Sequence, residues 1–579
     1  MKFDTYFGEQ RPVKVNENGI NMCNNVINND EYKKRVEAVF EDVANIVKHT
    51  LGPYGGETVL EKGGDVAFSK DGHHVLNKVR YEDPVQSTIL DLLFKIASQV
   101  NIKAGDGTTT ASVGAYQLYK AVRNVVKESG LRPKDLVNTI NKVVDEICVE
   151  IQDNAVQIDK EGNLDEIYNL AMVSTNGEHE ISKMLQSIYQ ETGNPVIEYN
   201  ISNSLNSSYE IVDGYKMPFM KYIDGIFMNN DNGTCVLEKP LVLMFNHKLD
   251  LKYYDKIIRP AVNEAIQRGT RVVIIAPFYD TFLLQKIKTE LTPEYRATGS
   301  TRAVYVRASL MNNHLQDLYG DLAALLGCTI IDEQTAYDAC KEEEDFNVKE
   351  FLGSVDEMVI SDKTTYSRGF SNKDDYMVEV LKKDARAKYE EILESTEKAT
   401  HITQAFIDRK QRIAKLDCHM GIINVGGTTE LAKVANYDLV EDAVKACECS
   451  YLYGYVPGQT IGLQTAIKNL LHDCRPKSEK VILEAISDAY ANVTKILLEN
   501  KFENVELAQV REMIDECVSG QEVIDLNNTE QLEDGRFNVA YTNIVINSCK
   551  TDIEILRATA GIIGLLLSSN QFVSIRVQN

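Results

Sequence analysis

No run of about 18 apolar residues occurs anywhere in this chain, so no transmembrane helix is expected. The opening Met1-Lys-Phe-Asp-Thr-Tyr6 has no apolar stretch of the kind a secretory signal needs, and a cytoplasmic location is expected. Zinc-type spacing is missing too. The 11 cysteines are scattered, Cys447-Glu-Cys449 is the one close pair, and there is no CxxC. These thiols are expected to be reduced and mostly buried. Positive charge is in short supply: 62 Lys and Arg face 86 Asp and Glu, a formal net charge of −24. That balance argues against nucleic acid or an anionic membrane as the main partner. There is no GxxxxGK[ST] phosphate loop. Nor is there a repeat with a period of about 20–50 residues, which excludes a solenoid or propeller.

What remains is the composition of a soluble globular protein, 44% hydrophobic and 26% charged. At 579 residues the chain is too long for one core, and about two to four domains are expected. Residues 1–30 are polar and Asn-rich, as in a flexible or strand-forming arm. Val36, Val39, Phe40, Val43 and Val47 share a face of a helix over 31–49, which Leu51-Gly-Pro-Tyr-Gly-Gly56 breaks. Short strands at 58–60 and 65–69 flank a Gly63-Gly64 turn. Lys70-Asp71-Gly72 follows, by itself no more than a hairpin corner. Helices are expected through 133–153 and 180–191. From about 195 strands and helices mix. Residues 252–267 read as a helix closed by Gly269, and 271–276 as a buried strand of an α/β layer. Strands are expected within 349–362 and at 376–381. A charged helical pattern over 384–415 suits an antiparallel pair or a hinge arm. A strand and turn at 421–427 precede helices at 439–451, 460–472, 478–499, 507–517 and 552–570. Residues 454–459 read as a loop and 573–576 as a closing strand. The order is helical, then α/β, then helical, which fits one domain made from both chain ends with another inserted.

The organising stretch is Lys103-Ala-Gly-Asp-Gly-Thr-Thr-Thr-Ala-Ser112. Amphipathic helices precede it (84–100) and follow it (108–128), so Gly105-Asp106-Gly107 is a loop and Thr108, Thr109 and Thr110 begin a helix. A helix start offers outward N–H groups and a dipole that favours an anion. Three hydroxyls in the same turn add donors. The glycines let backbone approach a ligand, and Asp106 suits a hard cation such as Mg²⁺. The same spacing is also that of an Asx-type turn with a Thr N-cap, and spacing alone leaves both readings standing.

Five motifs together carry a family resemblance. Thr50-Leu-Gly-Pro-Tyr-Gly55, Lys70-Asp-Gly72, Gly105-Asp-Gly-Thr-Thr-Thr110, Asn424-Val-Gly-Gly-Thr-Thr-Glu430 and Val440-Glu-Asp-Ala443 occur in the order and approximate spacing of chaperonins. The pattern most resembles the GroEL-type group I. It extends into the insert, where Gly269-Thr-Arg-Val-Val-Ile-Ile-Ala276 and Gly327-Cys-Thr-Ile-Ile-Asp332 look like apical-domain strands. The resemblance implies a multidomain α+β chaperonin fold. A mostly helical equatorial domain (1–152 and 452–579) would bind ATP. A small intermediate domain (153–194 and 384–451) would hinge. An inserted α/β apical domain (195–383) would bind non-native polypeptide. Subunits would form a homo-oligomeric ring of about seven, in one or two rings. A co-chaperonin lid is a further implied partner.

By the same resemblance Asp106 matches the Mg²⁺-binding aspartate. Gly105, Gly107, Thr108, Thr109 and Thr110 match the phosphate cradle, and Leu51, Gly52 and Pro53 the turn packed on the nucleotide. Thr50 and Lys70 match residues whose carbonyls hold K⁺, and Gly458 a glycine contacting the nucleotide. Asp71 matches a carboxylate implicated in hydrolysis. Asp442 matches an intermediate-domain aspartate that swings in to orient water, although Glu441-Asp442 alone reads as a solvated helix face. Polypeptide would meet Tyr222, Ile226 and Phe227 on a loop, Val262 on one apical helix, and Leu284 and Ile287 on another. Phe282 and Leu283 extend that stripe. Each of these apolar residues reads equally as ordinary core. An acidic cavity wall would repel acidic clients.

The chain also departs from the pattern. Gln459 replaces a glycine, Asn547 stands where a ribose-binding aspartate is expected, and Arg259 is charged where the family is apolar. The N-terminal arm is longer and the Gly-Gly-Met tail is missing, changes that suit a virus-encoded member. Two rival readings are a chaperonin-fold scaffold without ATP turnover and an unrelated small-molecule kinase.

Overall fold

A computed structural model describes residues 26–573, except 28, 63–64, 71, 130–132, 159–163, 194–195, 219, 231–232, 299–300, 342–345, 374, 397–403 and 570–571. The expectations for 1–25, the Gly63-Gly64 turn, Asp71 and the strand beyond Val573 lie outside the described residues. The chain divides into two compact units, Met1–Val156 with Gly454–Asn579, and Gln157–Tyr453.

The first unit is helical. Its helix Thr108–Ser129 packs on Asn29–Val47, Pro84–Ala104, Lys477–Glu499 and Cys549–Ser568, so elements from both chain ends share one core. Val113, Leu118 and Val122 of that central helix are fully buried. Each such side chain contributes about 1.5–3 kcal/mol on burial. Pro133–Asp153 lies against Cys549–Ser568. Thr58–Lys62 pairs antiparallel with Asp65–Ser69. Residues expected as a loop contain a short strand, Tyr455–Pro457, antiparallel to Ile546–Ser548. Three residues show no periodicity, so only the partner strand reveals it.

The second unit holds two sheets. In one, Leu241–Met244, Val272–Ala276 and Ala303–Ala308 run parallel, with Gly353–Ser354 and Met220–Tyr222 antiparallel at the edges. Val272–Ala276 is wholly buried, as its unbroken apolar run requires. The other has the order Ile197–Ile201, His419–Val425, Ser208–Pro218, Thr364–Arg368, Glu357–Ile360, Cys235–Glu238. Helices Tyr376–Thr396 and Gln404–Leu416 pack together as a pair.

Three expectations change here. Residues 376–381 are helical, not a strand: Val378 is buried while Tyr376, Met377 and Val380 are exposed, one inward contact per turn. The helix over 252–267 is broken into a 3₁₀ turn Leu251–Tyr253, a π turn Tyr254–Ile258 and an α-helix Arg259–Gln267. Pro260 has no N–H to donate into the preceding turn, which explains why the regular ladder begins only there. A helix Glu166–Ser174 forms where none was expected.

Candidate functional site

Helix Pro84–Ala104 starts on Asp83, whose Oδ1 accepts from the Val85 and Gln86 N–H groups at 2.7 and 3.2 Å. It ends at Gly105, φ +77°, whose N–H donates to the Val100 and Asn101 carbonyls. Gly107, φ +88°, then leads into Thr108–Ser129. Both angles lie where glycine is unstrained. Thr108, Thr109 and Thr110 occupy the first turn of a long helix, and Asp106 accepts from the Gly107 N–H at 2.5 Å.

Other segments close around this loop. The Gly72 N–H donates to Thr109 Oγ1 at 3.2 Å, and a Cβ on Gly72 would sit 2.9 Å from Thr109 Cα. Gly72 follows Asp71 directly and Lys70 is half-buried beside them in sequence. A Cβ on Gly107 would sit 2.6 Å from Thr551 Cγ2 and 2.8 Å from Ile555 Cδ1, so glycine alone fits against the start of Cys549–Ser568. The turn Lys48–Thr50 packs on Thr108–Ser129. There Thr50 Oγ1 donates to the Val47 carbonyl at 2.9 Å. Asn500 Nδ2 donates to the Lys48 and Leu51 carbonyls at 2.9 and 2.8 Å, fixing the turn to the end of Lys477–Glu499. Gly52 has φ +76° and faces Leu497, while Pro53 is exposed.

A third group joins through the short ladder. Asn547 lies opposite Val456, and the Gly458 N–H donates to the Val545 carbonyl at 3.0 Å. Gln459 has φ +54°, and its side chain both donates to the Ile524 carbonyl (2.8 Å) and accepts from the Ile524 N–H (3.1 Å). Asn547 Nδ2 donates to Asp552 Oδ1 at 2.8 Å. Burial pushes the Asp552 carboxyl up to about 7; the Asn547 hydrogen bond opposes this and the Asp106 charge adds to it. Asp552 had no signal in the sequence, where a lone acid in the first turn of an apolar helix reads as a dipole partner.

The structure therefore gathers 50–53, 72, 105–110, 454–459 and 546–552 in one unit. It places Asp442 in the other, half-exposed on the helix Glu430–Tyr453.

The sequence over residues 43–275 matches the TCP-1/cpn60 chaperonin family. Two crystal structures of the chaperonin gp146 from the bacteriophage EL of Pseudomonas aeruginosa, both with ATP-BeFx, share the fold. One superposes at TM-score 0.75 with 16% identity, covering 96% of this chain and 100% of that one. The other gives 0.68 with 17% identity over the same shares, 96% and 100%. The chain thus matches the chaperonin family over residues 43–275 and shares the chaperonin fold over nearly its whole length. Its family match runs from the first helix of one unit into the parallel sheet of the other.

In this chain the apolar residues singled out for polypeptide lie around one core. Phe227 and Ile287 are buried in it, and Tyr222, Ile226, Val262 and Leu284 pack on it half-buried. Leu283 is buried too, whereas Phe282 is 69% exposed and its neighbour Phe278 62%. Arg259 pairs with Asp255 at 3.0 Å on the surface. Among the described residues no group of three His, Cys, Asp or Glu side chains is placed to hold a metal. A divalent ion carried in by phosphate oxygens needs fewer protein ligands. The donor set at the loop fits such an ion: Asp106, three threonine hydroxyls, and glycines where a side chain would collide.

Proposed function

We propose that this chain binds ATP with Mg²⁺ in its first unit and hydrolyses it to drive the capture and folding of non-native polypeptides in a ring cavity. One observation carries the reading. Chain segments remote in sequence meet there around a helix start, and Gly72 and Gly107 lie where any side chain would collide. The ATP analogue in the phage chaperonin crystals supports it. Magnesium triphosphate supplies charge neutralisation and the transferable phosphoryl group.

The residues divide the remaining work. Thr108, Thr109, Thr110 and the N–H groups of that turn bind phosphate oxygens, with Gly105 and Gly107 allowing close approach. Asp106 takes the metal, and the Thr50 and Lys70 carbonyls offer a K⁺ site. Leu51, Gly52, Pro53 and Gly458 pack on the nucleotide, and the Asn547 amide serves the ribose hydroxyls. Asp71 and Asp442, by their motif matches, are the carboxylates assigned to orienting the attacking water. Client chains first meet Phe282 and the half-buried Val262 and Leu284. Exposure of Ile287 and Phe227 requires rearrangement. A cytoplasmic, group I type ring of viral origin, with or without a co-chaperonin, is consistent with the motif order and with the phage chaperonins sharing the fold.

The test is ATP hydrolysis by the wild type and by Asp442→Ala. The variant should turn over about a hundredfold more slowly while binding ATP as tightly. If the wild type does no better than buffer, the scaffold reading replaces this one.

A further inference from the structure

Ser548, Thr551 and Asp552 form a group of oxygens that the proposed reaction does not use. Ser548 and Thr551 are 0% and 1% exposed, and neither hydroxyl has a hydrogen-bond partner. Asp552 keeps some exposure as a residue, but its Oδ2 is closed off from solvent and likewise unpartnered. An unsatisfied buried hydroxyl costs about 1–3 kcal/mol, and an ionised carboxylate oxygen more. Three in one stretch of five residues call for a shared partner.

The direction of that partner follows from the neighbours. The Thr551 Cγ2 methyl lies against Gly107, the residue after Asp106, which brings the start of this helix up to the Asp106 loop. Asp106 is close enough for its negative charge to act on Asp552. Asp552 Oδ1 is held by Asn547, which fixes the carboxylate and leaves Oδ2 as the free acceptor. The nearby cations Lys103 and Lys550 lie 2.8 and 3.0 Å from Glu554 instead. Two carboxylates are a hard, all-oxygen donor pair, of the kind that takes Mg²⁺ or Mn²⁺.

We propose that Asp552, fixed by Asn547, is a second carboxylate ligand for the divalent cation of Asp106, so that this chain binds the metal before any nucleotide arrives. The assignment rests on Asp106 as the metal aspartate and deepens that reading. Asn547 is thereby a positioning residue.

Mn²⁺ alone, titrated into the full-length protein without nucleotide and followed by electron paramagnetic resonance, tests this. The wild type should bind one Mn²⁺ per subunit. Asp552→Asn and Asp106→Asn should each weaken binding by about 10–100-fold. Asp488→Asn, half-exposed and paired with Arg511 away from this loop in sequence, should leave it unchanged. Equal affinity in Asp552→Asn and wild type overturns the proposal, as does a wild type that binds no Mn²⁺ until ATP is added. The latter leaves ATP hydrolysis standing, and Mn²⁺ binding without hydrolysis leaves the site standing. If Asp552→Asn does not fold, judged by circular dichroism, electron–nuclear double resonance on wild type labelled with ¹³C-carboxylate aspartate decides. Two strongly coupled carboxylates are expected, and one alone sinks the assignment.

Discussion

Gln459 holds φ at +54° where the family pattern has glycine, and Thr460 follows at +68°. Such backbone costs a non-glycine residue about 1–2 kcal/mol. The two hydrogen bonds from the Gln459 amide to Ile524 offset it. Gln459→Ala keeps the strain and loses both bonds, so it should destabilise by about 1–3 kcal/mol. Gln459→Gly relieves the strain and should be milder. Urea midpoints in that reverse order would sink this account. Lys415 is a second residue whose environment decides its behaviour. It is 5% exposed, and its Nζ donates to the Lys216 carbonyl at 2.6 Å. Burial pushes its ammonium down to about 8, with Lys216 adding to the fall and Glu448 opposing it. Below pH 8 folded and unfolded chains both carry this charge, and the burial penalty is present in full. Between about 8 and about 10.5 the unfolded chain keeps a proton that the folded chain has shed, so stability rises with pH. Relative to Lys415→Met, the wild type should gain about 3 kcal/mol across that window. Urea unfolding at pH 7.5 and 10 checks it; a constant difference refutes it.

At the scale of elements, amphipathic stripes make most helices legible, because the 3.6-residue period is local. Thr108–Ser129 and Pro133–Asp153 lie where their spacing puts them. Misreadings fall where local pattern and tertiary partner disagree. Residues 376–381 look β-branched and apolar, yet they open a long helix whose pairing with Gln404–Leu416 sets their state. That second helix is also joined to Asn313–Leu326 by charge. Arg412 Nε and Nη2 each donate to the Asp321 carboxylate at 2.7 Å, with 6% and 1% of the two side chains exposed. Removing one partner of a buried pair strands the other. Arg412→Met should therefore cost about 3–5 kcal/mol, and Arg412→Met with Asp321→Leu should recover most of it. Chemical denaturation of the three proteins measures the coupling. Additive losses would show that the pair is not one unit.

For the whole molecule, the prediction is assembly. A ring demands particles several times the mass of one chain, and light scattering of purified protein should find them with and without ATP. A monomer or dimer would fit the kinase reading instead. The acidic composition, net −24, bears on solubility and on repulsion of acidic partners, not on the geometry of an assembly.

The sequence by itself determined the helix periods, the glycine–aspartate–threonine turn and the family resemblance, since each depends on neighbours within a few residues or on motif order. Only the tertiary structure decided that Asn547 is tied to Asp552, that Gln459 clasps Ile524, and that Thr551 closes on Gly107. Those contacts join residues brought together by burial of helices from both chain ends, and no period or propensity along the chain encodes such a meeting.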